Sequence, residues 1–217
     1  MIQQQTGLKK KLFNGDLVFR RNIKKHCKYC VRYYIIENMM LKVQMNRRID
    51  APIIHIIGLP GAGKTTLGKQ FAKKFNLPVF RIGEYRSKFP ESITHEADAW
   101  VALFHDLSKR RWKNCILETT GLNHRELFLR TALPMSTKVT FKLMAQRKVL
   151  YARIKKKDKN DQGGSWLFSK DYRDKYEFVR KMYKDLRIIP ADIVIDTTKL
   201  REKEVFKIAL EKLRMYI

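Results

Sequence analysis

Beyond Arg48 the apolar residues fall into two textures that alternate along the chain. One is the short, nearly unbroken run: Ile53-Ile54-His55-Ile56-Ile57, Val79-Phe80-Arg81-Ile82, Asn114-Cys115-Ile116-Leu117 and Asp192-Ile193-Val194-Ile195-Asp196. Lys138 to Met144 joins this group, with Val139, Phe141 and Leu143 at every second position. Runs of this length and composition predict strands, and the missing alternation in most of them predicts burial on both faces. The other texture repeats every three or four residues. Ala97, Trp100, Val101, Phe104 and Leu107 mark a helix over 96–110 that packs through one stripe. Helices are also predicted over 65–75, 123–132, 147–157, 171–186 and 201–215. Strands that alternate with helices build a parallel sheet with crossover helices on its faces. The expected fold class is therefore α/β: a doubly wound five-stranded parallel sheet in a domain spanning 48–217.

Residues 1–47 read differently. Arg20, Arg21, Lys24 and Lys25 interleave with Tyr29, Tyr33 and Tyr34 without a sustained helical or strand period. Val31–Ile36 is compatible with a strand and residues 37–44 with a short helix, but the segment is expected to be a poorly structured basic extension. Cations with interleaved rings also suit single-stranded nucleic acid, the rings stacking on bases. Cys27-Lys28-Tyr29-Cys30 offers two thiols where structural zinc needs four ligands, and no second pair follows. Three cysteines, an odd number, make no disulfide framework and fit a reducing, cytoplasmic setting. No apolar run approaches the roughly 20 residues that span a bilayer. The stretch after Lys9-Lys10-Lys11 is broken by Asn14, Gly15 and Asp16, so a signal peptide is not expected.

Charge changes the picture of partners. The chain holds 47 Lys and Arg against 21 Asp and Glu, a formal net charge of +26. A field of that sign attracts polyanions, so nucleic acid joins small anionic metabolites among the candidate partners. Lysine-rich usage without any such partner would leave the same excess. The sequence carries no signal for oligomeric state.

One stretch carries specific chemistry. Gly58-Leu59-Pro60-Gly61-Ala62-Gly63-Lys64-Thr65 fits the phosphate-binding pattern G-x-x-x-x-G-K-[ST], with a predicted strand before it and a helix after it. Gly58, Gly61 and Gly63 let the backbone turn its N–H groups toward an anion, and Ala62 and Thr66 continue that cradle. The helix N-terminus adds the positive end of its dipole. Lys64 is placed for the β- and γ-phosphates, and the Thr65 hydroxyl for Mg²⁺. ATP and Mg²⁺ are therefore the expected cofactors.

Ligands bind beyond the carboxyl ends of the strands in such sheets, so polar residues there are the next candidates. Glu118 ends the third run, where a carboxylate holds the metal or accepts the acceptor hydroxyl's proton. Glu84 and Arg86 follow the second run, and Arg125 opens the helix after the third; these are the candidate acceptor-site residues. Arg86 is favoured over Arg81, because a planar guanidinium past the strand end suits a phosphate or carboxylate. Arg147, Arg153, Lys156, Lys157, Arg173 and Arg180 surround a polar loop, and Arg153 is the candidate to neutralise the transferring phosphoryl group.

Over residues 48–215 the chain resembles the P-loop kinases of nucleotides and small metabolites. The likeness rests on Gly58 through Leu67, Gly83-Glu84-Tyr85-Arg86, Arg153-Ile154-x-x-Lys157 and Asp192 through Thr197. It implies a sheet of order 2-3-1-4-5, a helical lid at about 157–172, and an adenine-contacting loop after the last strand. Gly83-Glu84-x-Arg86 is similar to the G-D-x-x-R of adenylate and cytidylate kinases, one residue shorter, whose arginine grips the acceptor monophosphate. Arg86-x-x-Phe89-Pro90 also resembles the R-x-x-H-P of zeta-toxin kinases, but Gly83 stands where these toxins and polynucleotide kinases carry an acid. The expected activity is transfer of the γ-phosphate of ATP to a nucleotide or other small anionic metabolite. The alternatives are a polynucleotide 5′-hydroxyl kinase, a zeta-toxin-like kinase, or an NTP-dependent nucleic-acid-binding module.

Overall fold

In the computed structural model, which describes residues 53–89, 95–123, 138–160 and 172–216, strand β1 (Ile53–Gly58) is buried at all six positions and occupies the centre of a sheet. Expectations for residues 1–47, including Val31–Ile36 and the Cys27/Cys30 pair, fall outside those residues, as does the helix expected after Asn123. The remaining strands are β2 (Val79–Arg81), β3 (Ile116–Glu118), β4 (Lys138–Met144) and β5 (Ile193–Asp196). They lie in the order β2-β3-β1-β4-β5, and every pair is parallel. This is the predicted five-stranded sheet with the predicted order. The helices are α1 (Lys64–Phe75), α2 (Ile82–Arg86), α3 (His95–Lys109), α4 (Arg147–Asn160), α5 (Lys175–Ile188) and α6 (Glu202–Leu213). Among the described residues no helix is long and apolar enough to cross a membrane.

The side chains explain why this packing is preferred. Successive residues of a strand point to opposite faces. On one face Ile54 and Ile56 of β1 join Phe141 of β4, Leu67 and Phe71 of α1, and Ala209 and Leu213 of α6 in a buried cluster. Phe71 makes ring contacts with Phe75, Phe141 and Phe206, the last edge-on at 5.7 Å. Of the α3 stripe, Trp100, Phe104 and Leu107 are buried as expected. Ala97 and Val101 are half-buried, and Ala99 and Leu103 take the buried places, so the stripe is turned slightly about the helix. Trp100, Phe104 and Trp112 make tilted ring contacts in series. The stripe is core and not a cofactor box.

Among the boundaries that differ from expectation, three have a clear local reason. β3 starts at Ile116 because Arg111, Trp112 and Asn114 take positive φ in a tight turn before it. The expected helix over 171–186 starts at Lys175, capped by Asp174, whose carboxylate accepts from the Glu177 N–H at 2.8 Å. Such a cap satisfies a backbone donor that has no intrahelical partner. β2 ends at Arg81, and Ile82–Arg86 winds into the short helix α2.

A buried lysine sits inside the sheet. Lys142 of β4 is buried, and its Nζ donates to the carbonyls of Ile189, Arg187 and Leu186 at 2.6, 3.1 and 3.5 Å. It therefore closes the C-terminus of α5, where carbonyls lack partners and the dipole favours a cation. Burial holds its pKa below the usual lysine value. Lys142→Met should lower the unfolding free energy by about 1–3 kcal/mol, the scale for stranding buried acceptors. Urea denaturation followed by circular dichroism measures this, and an unchanged midpoint would show that the lysine is dispensable.

Candidate functional site

The carboxyl ends of β1, β2 and β3 meet at one edge of the sheet. Ile56 is in register with Glu118, and Glu118 with Arg81, so the phosphate-binding loop, the candidate carboxylate and a guanidinium arrive side by side. A cavity of 1230 Å³ opens there. Cavities that enclose a single small ligand commonly measure about 300–1,000 Å³, so this one has room for a nucleotide and a small acceptor together.

The loop's shape depends on its glycines. Gly61 has φ 81°, and a Cβ there would lie 2.7 Å from the Leu150 carbonyl oxygen of α4. A larger residue would push the loop off that helix. Gly63, with φ 96°, is the N-cap of α1 without a side-chain cap, and open space surrounds its missing Cβ. The uncapped start of a helix leaves backbone N–H groups to be satisfied by a ligand, and its dipole favours an anion. Lys64 Nζ lies over the loop, donating to the Leu59 carbonyl at 3.2 Å.

Thr65 and Glu118 are brought together as expected of a metal pair. The Thr65 hydroxyl donates to Glu118 Oε1 at 2.7 Å. Glu118 Oε2 is buried and accepts no hydrogen bond. Its charge is met in part by the Arg81 guanidinium, whose Nε lies 3.3 Å away without making a hydrogen bond, so the oxygen retains an open acceptor position. Hydroxyl, carboxylate and incoming phosphates form the oxygen donor set that Mg²⁺ takes in phosphate-binding sites, so these residues fit the ion.

The predicted cations sit less simply. Arg86 is 4% exposed, and its Nε and Nη2 bind Glu96 as a fork at 2.7 and 2.8 Å. Trp100 Nε1 and Asn123 Nδ2 donate to the same Glu96 oxygen at 2.8 and 2.7 Å. Arg86 therefore ties α2, α3 and the loop after β3 together, with one edge of its fork occupied. That edge is not presented to an acceptor, although Arg86 lines the cavity together with Arg81. Arg81 is the guanidinium beside the carboxylate: its Nε lies 3.3 Å from Glu118 Oε2, and its Nη1 is paired with Glu84. Glu84 is largely exposed and lines the cavity. Arg125 lies outside the described residues.

Arg153, the candidate to neutralise the transferring phosphoryl group, precedes the expected lid. Its Nη2 donates to the Thr197 carbonyl at 2.7 Å, and its Nη1 to the Thr197 hydroxyl at 3.0 Å and the Gly61 carbonyl at 3.4 Å. It braces α4 against the phosphate-binding loop and the loop after β5. Thr197 completes that junction by reaching the carbonyls of Met144 and Ala62 at 3.1 and 3.3 Å. Lys156, Lys157 and Lys175 line the cavity mouth, and Lys175 pairs with Asp158 at 2.6 Å across the base of the expected lid. Most of that lid, 161–171, lies outside the described residues.

Sequence reasoning passed over Arg81, Glu96 and Thr197 as site residues. Arg81 was findable, since the last residue of a strand in such a sheet borders the ligand crevice. Glu96 had no signal for its charged role: Trp100 lies one helical turn away, but Arg86 and Asn123 are ten and 27 residues distant and meet it only through the fold. Among the described residues the cysteine is Cys115, which is buried; burial pushes its thiol up to about 12, so it is not a nucleophile for the site.

No protein-family model matches the chain. Solved structures of similar fold include a sugar kinase from a Janibacter species, 14% identical, with a TM-score of 0.53 over 76% of this chain and 95% of that one. A gluconokinase from Sinorhizobium meliloti is 16% identical, TM-score 0.52, over 77% and 94%. A shikimate kinase from Bacteroides thetaiotaomicron is 19% identical, TM-score 0.51, over 76% and 97%. In sequence, 46 residues are 46% identical to an adenylate kinase from Rickettsia africae. That match spans 21% of this chain and only 22% of the curated relative. The fold is that of the P-loop kinases.

Proposed function

We propose that the protein is an ATP- and Mg²⁺-dependent phosphotransferase that delivers the γ-phosphate to a small metabolite, anionic acceptors included. The observation that carries this reading is the Thr65–Glu118 contact at the foot of the phosphate-binding loop, with a carboxylate oxygen beside it that accepts no hydrogen bond. Thr65 and Glu118 would hold the metal, which when bound neutralises charge on the phosphates. Lys64 swings from the Leu59 carbonyl to the transferring group, the backbone N–H groups of α1 hold the phosphates, and Glu118 orients the acceptor hydroxyl or takes its proton. Arg153 and Thr197 keep the loop in place, and the Arg86–Glu96 fork sets the wall of the acceptor side. Glu84, Arg81 and Arg125 are the residues proposed to meet the acceptor.

Lys156, Lys157 and Lys175 at the mouth favour a second reading, a kinase of polynucleotide 5′ ends. A screen of nucleosides, nucleoside monophosphates, shikimate-like acids and 5′-hydroxyl oligonucleotides for acceptor-dependent ADP release tests both. Release with a small molecule and shallow salt dependence supports the first. Release with oligonucleotides alone, falling by about 0.7 log unit per log of salt for each single-strand phosphate contact, supports the second. Slow ADP release that no acceptor accelerates would discard the phosphotransferase.

A further inference from the structure

Arg81 stands between two carboxylates of unlike exposure. Its own side chain is 23% exposed, that of Glu118 11% and that of Glu84 55%. The pairing with Glu118 is incomplete. Although Arg81 Nε and Glu118 Oε2 are 3.3 Å apart, neither makes a hydrogen bond, and both are buried. The N–H is not aimed at the oxygen, so the contact is Coulombic and leaves both atoms able to accept a better partner. The pairing with Glu84, through Nη1, keeps a hydrogen bond at the cavity rim.

This arrangement has a consequence for any cation approaching Glu118. A bare divalent ion bound to Oε2 would stand within a few ångströms of the guanidinium in a partly desolvated site, where like charges repel strongly. The same ion arriving on a nucleotide brings phosphates whose negative charge outweighs that repulsion. The guanidinium also has a second carboxylate in reach, so it can leave Glu118 without becoming unpaired. We propose that Arg81 is a specificity-determining residue: it denies Glu118 to free divalent cations and admits the metal as its nucleotide complex, with Glu84 holding the guanidinium once Glu118 is engaged. The proposal rests on Thr65 and Glu118 being the metal site.

Electron paramagnetic resonance of Mn²⁺ counts free ion directly and needs no turnover. With the full chain alone, Mn²⁺ should bind weakly, and a non-hydrolysable ATP analogue should tighten it. Arg81→Met should strengthen Mn²⁺ binding without nucleotide by about tenfold or more, the direction set by removing a neighbouring like charge. Arg81→Lys keeps the charge and should restore most of the discrimination. Arg81→Met with Glu118→Gln should lose the gain. Glu84 is exposed, so Glu84→Gln threatens the fold least; it should weaken Mn²⁺ binding in the presence of the analogue, because Arg81 then has only Glu118. Equal nucleotide-free affinities in wild type and Arg81→Met would overturn the proposal alone, as would a gain that survives Glu118→Gln. Failure of every protein to bind Mn²⁺, even with the analogue, would overturn the metal site and this proposal with it.

Discussion

Lys64→Ala is expected to leave a folded protein whose turnover is lower by about 10²–10³-fold, the scale for removing one donor to charge that develops in a transition state. Lys64 is half-buried at the first position of α1 and its ammonium reaches a loop carbonyl at 3.2 Å, outside the apolar cluster, so its loss removes little packing. The loop's geometry is held elsewhere, by Gly61 against α4 and by the Arg153–Thr197 junction. The melting temperature should therefore stay near that of wild type while kcat collapses. A folded Lys64→Ala protein that turns over within a few-fold of wild type would remove the lysine, and the proposed mechanism, from consideration.

The second large effect is expected at Glu118. Glu118→Gln preserves shape and the hydrogen bond from Thr65 but removes the negative charge. Loss of a group that acts as base or holds the metal typically lowers rate by about 10²–10⁴-fold. Nucleotide binding should survive, since the loop backbone and Lys64 supply it, and raising Mg²⁺ should recover part of a metal-binding defect but none of a base defect. Steady-state kinetics against Mg²⁺ at saturating ATP separates the two. Unaltered kcat at every Mg²⁺ concentration would show that Glu118 is a structural acid held by Arg81.

The elements that carry a local period were legible in the sequence. β4 was predicted and found over Lys138–Met144, because alternate Val139, Phe141 and Leu143 face a continuous core. The α3 stripe and the phosphate-binding loop were legible for the same reason, each being a fixed spacing with one physical cause. Partnerships between charges were not. Arg86 has the sequence of an acceptor-binding arginine, yet Glu96 occupies its fork, and nothing in either segment announces the other. Lys142 interrupts an apolar strand, and its reason appears only where the end of α5 passes over it. Pairing of this kind depends on which chain ends the fold juxtaposes, and hydropathy carries no record of that.

The Thr197 hydroxyl is the point where four segments meet: the phosphate-binding loop, the end of β4, α4 through Arg153, and the turn after β5. A library that randomises these segments one at a time should return few active clones at position 197 apart from Thr and Ser, because every other replacement removes or displaces the hydroxyl that meets three neighbours at once. Randomised jointly with 153, its side-chain partner, the same position should admit alternatives, and survivors at the two positions should co-vary. The junction thus sets which parts of this domain can be recombined with those of another and which must travel as a block.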